Sequence, residues 1–292
     1  MKTKALKTTR GVSEFVEVHG VHKLKRQQRE IAALRETVEL FTRTSKTVTV
    51  ELPSSDNTLR FGAFGDTQLG SLYERVDCLH AFYQQAAARG IQLMLHTGDV
   101  LDGVNMYKGH IYELHKHGFE QQSQWFAEKA PRHPGIKTMF ITGNHDRSLK
   151  NAAGVNVGKE LQQLRPDWEC IGEDSGRVAL VTPNGRRFVV DLLHPGGGTA
   201  YAISYSAQKI ANSLSGGDKP DLLAMGHFHK AELLPTYHNI VVIQTACFQD
   251  QTPGYMKPKG LDAHIGGWLF DVCVGDENTM CNCIKAEFVA FY

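Results

Sequence analysis

The sequence predicts an α/β domain of two packed mixed β-sheets flanked by helices, and three observations carry that prediction. Between Thr58 and Thr142, short apolar runs alternate with amphipathic stretches of helical period. This β-α-β-α-β order makes parallel strands joined by helical crossovers. From Arg177 onward the runs flank turn signals, Pro183-Asn184-Gly185 above all, which calls for antiparallel pairing. Glycine followed by a polar residue also closes one strand after another, at Gly65-Asp66, Gly98-Asp99, Gly143-Asn144 and Gly226-His227.

Taken in order, residues 1–45 read as a basic N-terminal arm and helix, and 46–292 as the domain itself. Lys2, Lys4, Lys7 and Arg10 make the arm basic. From about His22 to Thr44, Leu24, Ile31 and Val38 recur every seven residues with Leu34 and Phe41 between them, which predicts a helix. Lys23, Lys25, Arg26 and Arg29 make its first turns basic. Such a helix packs on its own domain, joins copies in an oligomer as a short coiled coil, or contacts phosphates. Two extended runs follow, Thr47 to Leu52 and Thr58 to Phe64, with Pro53-Ser54-Ser55-Asp56-Asn57 between them, so a hairpin-like pair is expected. Helices are expected at about Tyr73–Arg89 and Gly118–Lys129, and strands at Gln92–Thr97 and Lys137–Thr142. The hairpin of Arg177–Thr182 with Arg187–Leu193 comes next, then a helix from about Tyr201 to Ser213 and a strand at Leu222–Ala224. Strands and turns alternate from there to Tyr292.

The chain has 292 residues, 41% hydrophobic and 22% charged, an ordinary globular balance with enough length for a substantial core. A formal net charge of +1 gives no global field toward nucleic acid or a membrane surface, although a local basic patch is compatible with it. No run approaches the ~18 apolar residues of a membrane span. The basic start lacks the apolar stretch of a secretory leader, so no membrane and a cytoplasmic setting are expected. Six cysteines, at positions 78, 170, 247, 273, 281 and 283, form no CxxC pair and read as reduced thiols.

The chemistry is concentrated at strand ends. Asp66 and Gln68 follow the first strand, Asp99 and Asp102 the second, and Asn144, His145 and Asp146 the third. His194 follows the fourth, and His227 and His229 complete the set. In open α/β sheets ligands bind beyond the carboxyl ends of strands. Asp, Gln, Asn and His from five such ends are a mixed oxygen and imidazole donor set that suits Mn, Fe, Zn or Mg. Two cations about 3.5–4 Å apart on such a donor set would neutralise an anionic substrate and acidify a shared water. A carboxylate among the donors can bridge such a pair, and a histidine of near-neutral pKa can supply a proton to a leaving group.

The ordered set, with GD-x-x-D at Gly98–Asp102, GNHD at Gly143–Asp146 and GHxH at Gly226–His229, resembles the calcineurin-like metallophosphoesterases and covers about Arg60 to His229. The resemblance implies their four-layer sandwich and two metal ions bridged by Asp99. Asp66, Gln68 and His229 would complete one site, and Asn144, His194 and His227 the other. His145 would lie outside the metal shells as general acid, with Asp102 orienting its imidazole. The family usually has histidine where this chain has Gln68. A neutral carbonyl ligand there tilts preference from zinc towards Mn2+ or Mg2+.

The family spans protein phosphatases, nucleotide phosphodiesterases, pyrophosphatases and nucleases, so fold alone leaves the substrate open. Gly65-Asp66-Thr67-Gln68-Leu69-Gly70 resembles the opening motif of the double-strand-break-repair exonucleases, apart from the glutamine. Those enzymes usually carry histidine at the position of Asp102. The Ser/Thr phosphatases are a poorer match, because Gly103 stands where they carry arginine and Asp146 where they carry glutamate. The expectation is a phosphodiesterase or nuclease acting on DNA, RNA or nucleotides. The alternatives are a phosphomonoesterase or small-nucleotide phosphodiesterase, and a non-catalytic scaffold like the small subunits of some replicative polymerases.

Other residues carry weaker signals. His110, His115 and His117 crowd one segment, while His80, His96 and His133 are scattered elsewhere; they read as surface histidines or partners behind the ligands, with a supplementary metal site at the cluster as the alternative. Gly196 to Gly198 either cradle a phosphate or let the chain turn after His194. Tyr201, Tyr205 and Phe228 read as core aromatics, with stacking on a base as the alternative. Trp125, Trp168 and Trp268 are assigned to the core or its rim.

Overall fold

The computed structural model describes residues 47–53, 57–197, 202–214, 219–275 and 282–292. The expected N-terminal arm and helix, and likewise Gly198, Tyr201 and Cys281, lie outside the described residues. In chain order the first elements are β1 (Val48–Glu51), β2 (Thr58–Phe64), α1 (Val76–Ala88), β3 (Leu93–His96), α2 (Gly118–Lys129) and β4 (Lys137–Thr142). Next come α3 (Asn144–Ala153), α4 (Val157–Leu164), β5 (Trp168–Glu173), β6 (Ser175–Val181), β7 (Arg187–Leu193) and α5 (Tyr205–Ser213). The rest are β8 (Leu222–Met225), β9 (Ala231–Tyr237), β10 (Ile240–Thr245), β11 (Ile265–Val274) and β12 (Asn282–Phe291).

Two six-stranded mixed sheets result, in the orders β12-β11-β2-β3-β4-β5 and β1-β6-β7-β8-β10-β9. In the first, β2 to β5 are parallel neighbours, and α1, α2 and the α3–α4 pair make the crossovers between them. Side-chain alternation divides each central strand between two cores. Phe61 and Ala63 of β2, Leu93 and Leu95 of β3, and Met139 and Ile141 of β4 face the second sheet, where they meet Val190, Leu192, Leu222 and Ala224. Phe64, Met94 and Phe140 face the other way, onto Leu79, Phe82, Phe126 and Leu161 of the helices. A third core packs α5 against Leu223, Met225, Ile240 and Val242 on the outer face of the second sheet. Helix, sheet, sheet and helix therefore form the expected four layers. Strands covered on both faces read as continuous apolar runs, which is why β3 is buried throughout.

One expected pairing is wrong. β1 and β2 do not form a hairpin: β1 pairs in parallel with β6, while β2 lies between β11 and β3 in the other sheet. The physical reason is burial. β2 is apolar on both faces and needs a central place, whereas β1 alternates between half-buried and exposed residues and suits an edge. The hairpin of β6 with β7 is as expected, in register from Ser175↔Leu193 to Val181↔Arg187.

Candidate metal centre

Asp66 and Gln68 leave the end of β2, Asp99 and Asp102 the end of β3, and Asn144 and His145 open α3 after β4. His194 follows β7, and His227 and His229 follow β8. All these ends meet in one place. The turns required are tight enough that Asp66, Gln68, Asp99, His227 and His229 all have positive φ, between 44° and 79°. Left-handed backbone at non-glycine residues costs of order 1–3 kcal/mol each and collects at functional sites. Gly143 makes room for this convergence: a Cβ there would stand 2.3 Å from Asp99 Oδ1.

The Asn144 side of the cluster is tightly knit. Asn144 Oδ1 is 2.9 Å from His194 Nε2 and 2.8 Å from His227 Nδ1, and His194 Nε2 is 3.1 Å from Asp99 Oδ2. Each ring is tied at its outer nitrogen, His194 Nδ1 to the Thr97 carbonyl and His227 Nε2 to the Gly197 carbonyl, both at 2.8 Å. Burial, with His194 adding to it, holds His227 down at about 4, so the ring is neutral. Its one proton is given to Gly197, and Nδ1 turns a lone pair toward the Asn144 oxygen. The ligand atoms of Asp99, His194 and His227 lie within 4.8 Å of one another around Asn144 Oδ1, an arrangement that could hold a cation. Burial would also lower His194, but Asp99 outweighs it and raises the ring to about 9. A proton there occupies the place a divalent ion would take. Burial opposes ionisation of Asp99 too, yet His194 and His145 hold its carboxyl well below the usual range.

On the other side, His229 Nε2 lies 3.4 Å from Asp66 Oδ1 and 3.1 Å from Gln68 Nε2. Asp66 also accepts the His227 backbone N–H at 2.9 Å, which links the two halves. Gln68 presents its amide nitrogen to His229; turning that amide by half a revolution would present its oxygen to a cation. His229 Nδ1 is buried with no hydrogen-bond partner among the described residues. The seven residues expected as ligands thus share one connected cluster, and the donor set fits two divalent ions.

His145 sits beside the cluster. Its backbone N–H donates to Asp99 Oδ1 at 2.8 Å, and its Nδ1–H donates to the Asp102 main-chain carbonyl at 2.6 Å, with Asp102 Oδ1 at 3.4 Å. Nε2 is left facing the centre, 4.0 Å from Asp99 Oδ2. Burial would lower this ring, but Asp99 and Asp102 raise it to about 9, so it carries a proton at neutral pH. Asp146 accepts three backbone N–H groups, from Val100, Leu101 and Gly143, and so locks the Asp99 turn to the start of α3.

A cleft of about 240 Å³ opens over the cluster. Its far wall is apolar and aromatic: Met106, Tyr107, Phe228, Tyr255, Met256 and Leu261. Phe228 is the one residue of this wall named from sequence. Tyr107 and Tyr255, stacked at 5.2 Å, come from segments far apart in the chain and carry no motif. Tyr205 was expected in the core but is 53% exposed, being on the outer side of α5. His96 and His110 are buried, whereas His80 and His133 are exposed, and His115 is bound to Glu74.

A sequence model of the calcineurin-like phosphoesterases matches residues 59–231. The chain is 24% identical over 235 residues to the DNA polymerase II small subunit of Halobacterium salinarum, covering 68% of this chain and 45% of that protein. The same figures hold for a second strain, so the chain spans about half the length of these curated relatives. Vacuolar protein sorting 29 of Cryptosporidium parvum aligns at 12% identity with a TM-score of 0.36, covering 80% of this chain and 99% of that one. A conserved uncharacterized protein of Streptococcus pneumoniae, described as a predicted phosphoesterase, aligns at 9% identity with a TM-score of 0.32, covering 79% of this chain and 98% of that one.

Proposed function

The chain belongs to the calcineurin-like phosphoesterase family, and from that premise we propose that residues 46–292 hydrolyse phosphodiester bonds of nucleic acid or nucleotides with the help of two divalent cations. The observation that carries this reading is the convergence of Asp99, His194 and His227, whose ligand atoms lie within 4.8 Å of one another, on Asn144 Oδ1, which is 2.8 Å from His227 Nδ1 and 2.9 Å from His194 Nε2. Asn144, His194 and His227 would hold one cation, Asp66, Gln68 and His229 the other, with Asp99 between them. Two such ions neutralise the phosphoryl charge and supply an acidified water. Mn2+ is favoured because Gln68 offers a neutral oxygen.

The chain's own residues supply the rest. His145 holds its proton on Nε2, toward the cluster, and gives it to the leaving oxygen. Asp102 accepts from Nδ1 through both its main-chain and side-chain oxygens and so keeps Nε2 pointed inward. The Met106, Tyr107, Tyr255 and Met256 wall receives the ester group and keeps water from that side of the cleft. Preference for a diester rests on the Gly65–Gly70 run and on the relative being a DNA polymerase subunit.

That relative also favours a second reading, in which the domain serves as a subunit of a larger assembly and turnover is absent. Partner proteins, and oligomer formation through the N-terminal segment, belong to the same proposal. One experiment decides between the readings: turnover of bis-p-nitrophenyl phosphate, p-nitrophenyl phosphate, and single- and double-stranded DNA with Mn2+, Mg2+, Zn2+ and Fe2+. Diester and DNA cleavage strongest with Mn2+ is expected. Monoester preference points to a phosphomonoesterase, and no turnover with two ions bound points to the subunit reading.

A further inference from the structure

We propose that His110 is a positioning residue for His145, acting through the Asp102 carboxylate that the two rings share; this rests on the reading of His145 as general acid. His110 and Asp102 are each 1% exposed. The Met106 backbone N–H points at His110 Nδ1 at 3.4 Å, which makes Nδ1 the acceptor and places the ring proton on Nε2. That Nε2 lies 3.4 Å from Asp102 Oδ2, and neither atom has another partner among the described residues. A buried donor and a buried acceptor facing each other are both costly to leave unmade, so they belong to one hydrogen bond.

Asp102 is then gripped at both oxygens. Oδ2 takes the His110 proton, Oδ1 stands 3.4 Å from His145 Nδ1, and the two rings meet edge to face at 5.9 Å. The opposite face of the assembly is also fixed. Tyr107 lies 4.8 Å from the His110 ring, and Tyr255 covers Tyr107 at 5.2 Å. Lys259 Nζ sits 3.5 Å above Tyr255. The Tyr107 hydroxyl and the Gly254 N–H both donate to the Glu113 carboxylate, which fastens the His110 segment to the segment carrying Tyr255. A chain of contacts thus runs from the cleft wall to the proton-bearing histidine.

A third cation among Asp102, His110 and His145 is the competing use of these atoms, which lie within 4.8 Å of one another. The bonds already made argue against it. His145 Nδ1 is committed to the Asp102 carbonyl, and His110 Nε2 is a donor rather than a lone pair.

The test uses the full chain. Nitrogen-15 imidazole spectra, recorded on the metal-free and Mg2+-loaded protein, should show His110 protonated on Nε2 and bare on Nδ1. The reverse tautomer, or a lost Nε2 proton, overturns the proposal whatever the activity. His110→Leu should lower kcat on an alkyl phosphodiester by roughly tenfold or more, the scale for losing an outer partner of an oriented imidazole. KM, metal content and the rate on a nitrophenyl ester should change little. His110→Gln, whose amide reaches the position of Nε2, should restore the alkyl ester rate. Adding His110→Leu to His145→Ala should cost nothing further, because the effect passes through that ring. Equal slowing of both esters, failure of glutamine to restore, or an additive double variant overturns the proposal. If His145→Ala itself shows no dependence on the leaving group, the general-acid reading fails and this inference with it. If it does show that dependence while His110→Leu is silent, only this inference fails.

Discussion

On the Asn144 side of Asp99 both imidazoles are tied at their outer nitrogens, His194 to the Thr97 carbonyl and His227 to that of Gly197. On the Asp66 side His229 Nδ1 has no partner among the described residues, and an amide, Gln68, stands where the family usually has a second imidazole. A ring fixed from behind loses less freedom on coordination and is a stronger base. On the proposed reading the Asn144 half would be the tighter seat, and the Asp66 half the one in which metal identity is chosen. Five left-handed residues hold this arrangement, three of them, Asp66, Gln68 and His229, on the looser side. Backbone geometry there does part of what hydrogen bonding does on the other side.

The comparison breaks at its hinge if Asp99 is not shared. Asp99→Ala should release at least one cation per chain and abolish turnover of both activated and unactivated esters, read by metal content and rates. Retention of both ions would mean that the halves have no common carboxylate. His145→Ala belongs to neither half. It should keep both ions and lose about 10²–10⁴-fold on esters with poor leaving groups, the range of general acid catalysis, with a distinctly smaller loss on nitrophenyl esters.

A third prediction sharpens the difference through protons. In the metal-free protein His194 is raised to about 9, so below that pH a cation entering the Asn144 half must displace a proton. Above it there is nothing to displace. Affinity for the first ion should rise about tenfold per pH unit between pH 7 and 9 and level off beyond. Calorimetry at pH 7 in buffers of different protonation enthalpy should find about one proton released per ion. Equal affinity at pH 7 and 9 would remove His194 from the seat. The smallest effect is expected at Gln68. Gln68→His should narrow the gap between Mn2+ and Zn2+ activity several-fold while leaving occupancy of the Asn144 half unchanged. An unchanged metal profile would take Gln68 out of the donor set.

The seven cluster residues were legible as candidate donors because each stands just beyond a strand, most beside a glycine, whereas their division between two metal sites came from the resemblance to the family. The two packed sheets were legible in the alternation of strand and helix runs, and the four layers again came from the resemblance. What failed to show was whatever depends on partners distant in sequence. β1 and β2 are joined by ordinary turn residues, and only the two-sided burial of β2 sends them to different sheets. α3 has Asn-His-Asp-Arg-Ser at its start and Leu149 as its one buried apolar side chain, so its helical period was too faint to read. β5, Trp-Glu-Cys-Ile-Gly-Glu, breaks its alternation with glycine and polar residues. The His110 segment announced itself by composition, but its attachment to Asp102 and to Tyr255 exists only in three dimensions.

The placement of β1 also bears on the order in which the molecule is made. Its four residues bond to β6, from Val48↔Val178 to Glu51↔Val181, so the edge of that sheet cannot close until most of the domain has been synthesised. Non-local parallel pairing has to meet its loop-closure entropy before any contact rewards it, and so it forms late. The parallel β2-to-β5 core, with its helical crossovers, depends on much shorter closures and can assemble first. The strand ends that deliver Asp66, Asp99 and Asn144 would then be in position before the chain that follows has supplied His194, His227 and His229. On that schedule the histidines are the last of the cluster to arrive, at a site whose oxygen side chains already stand in place.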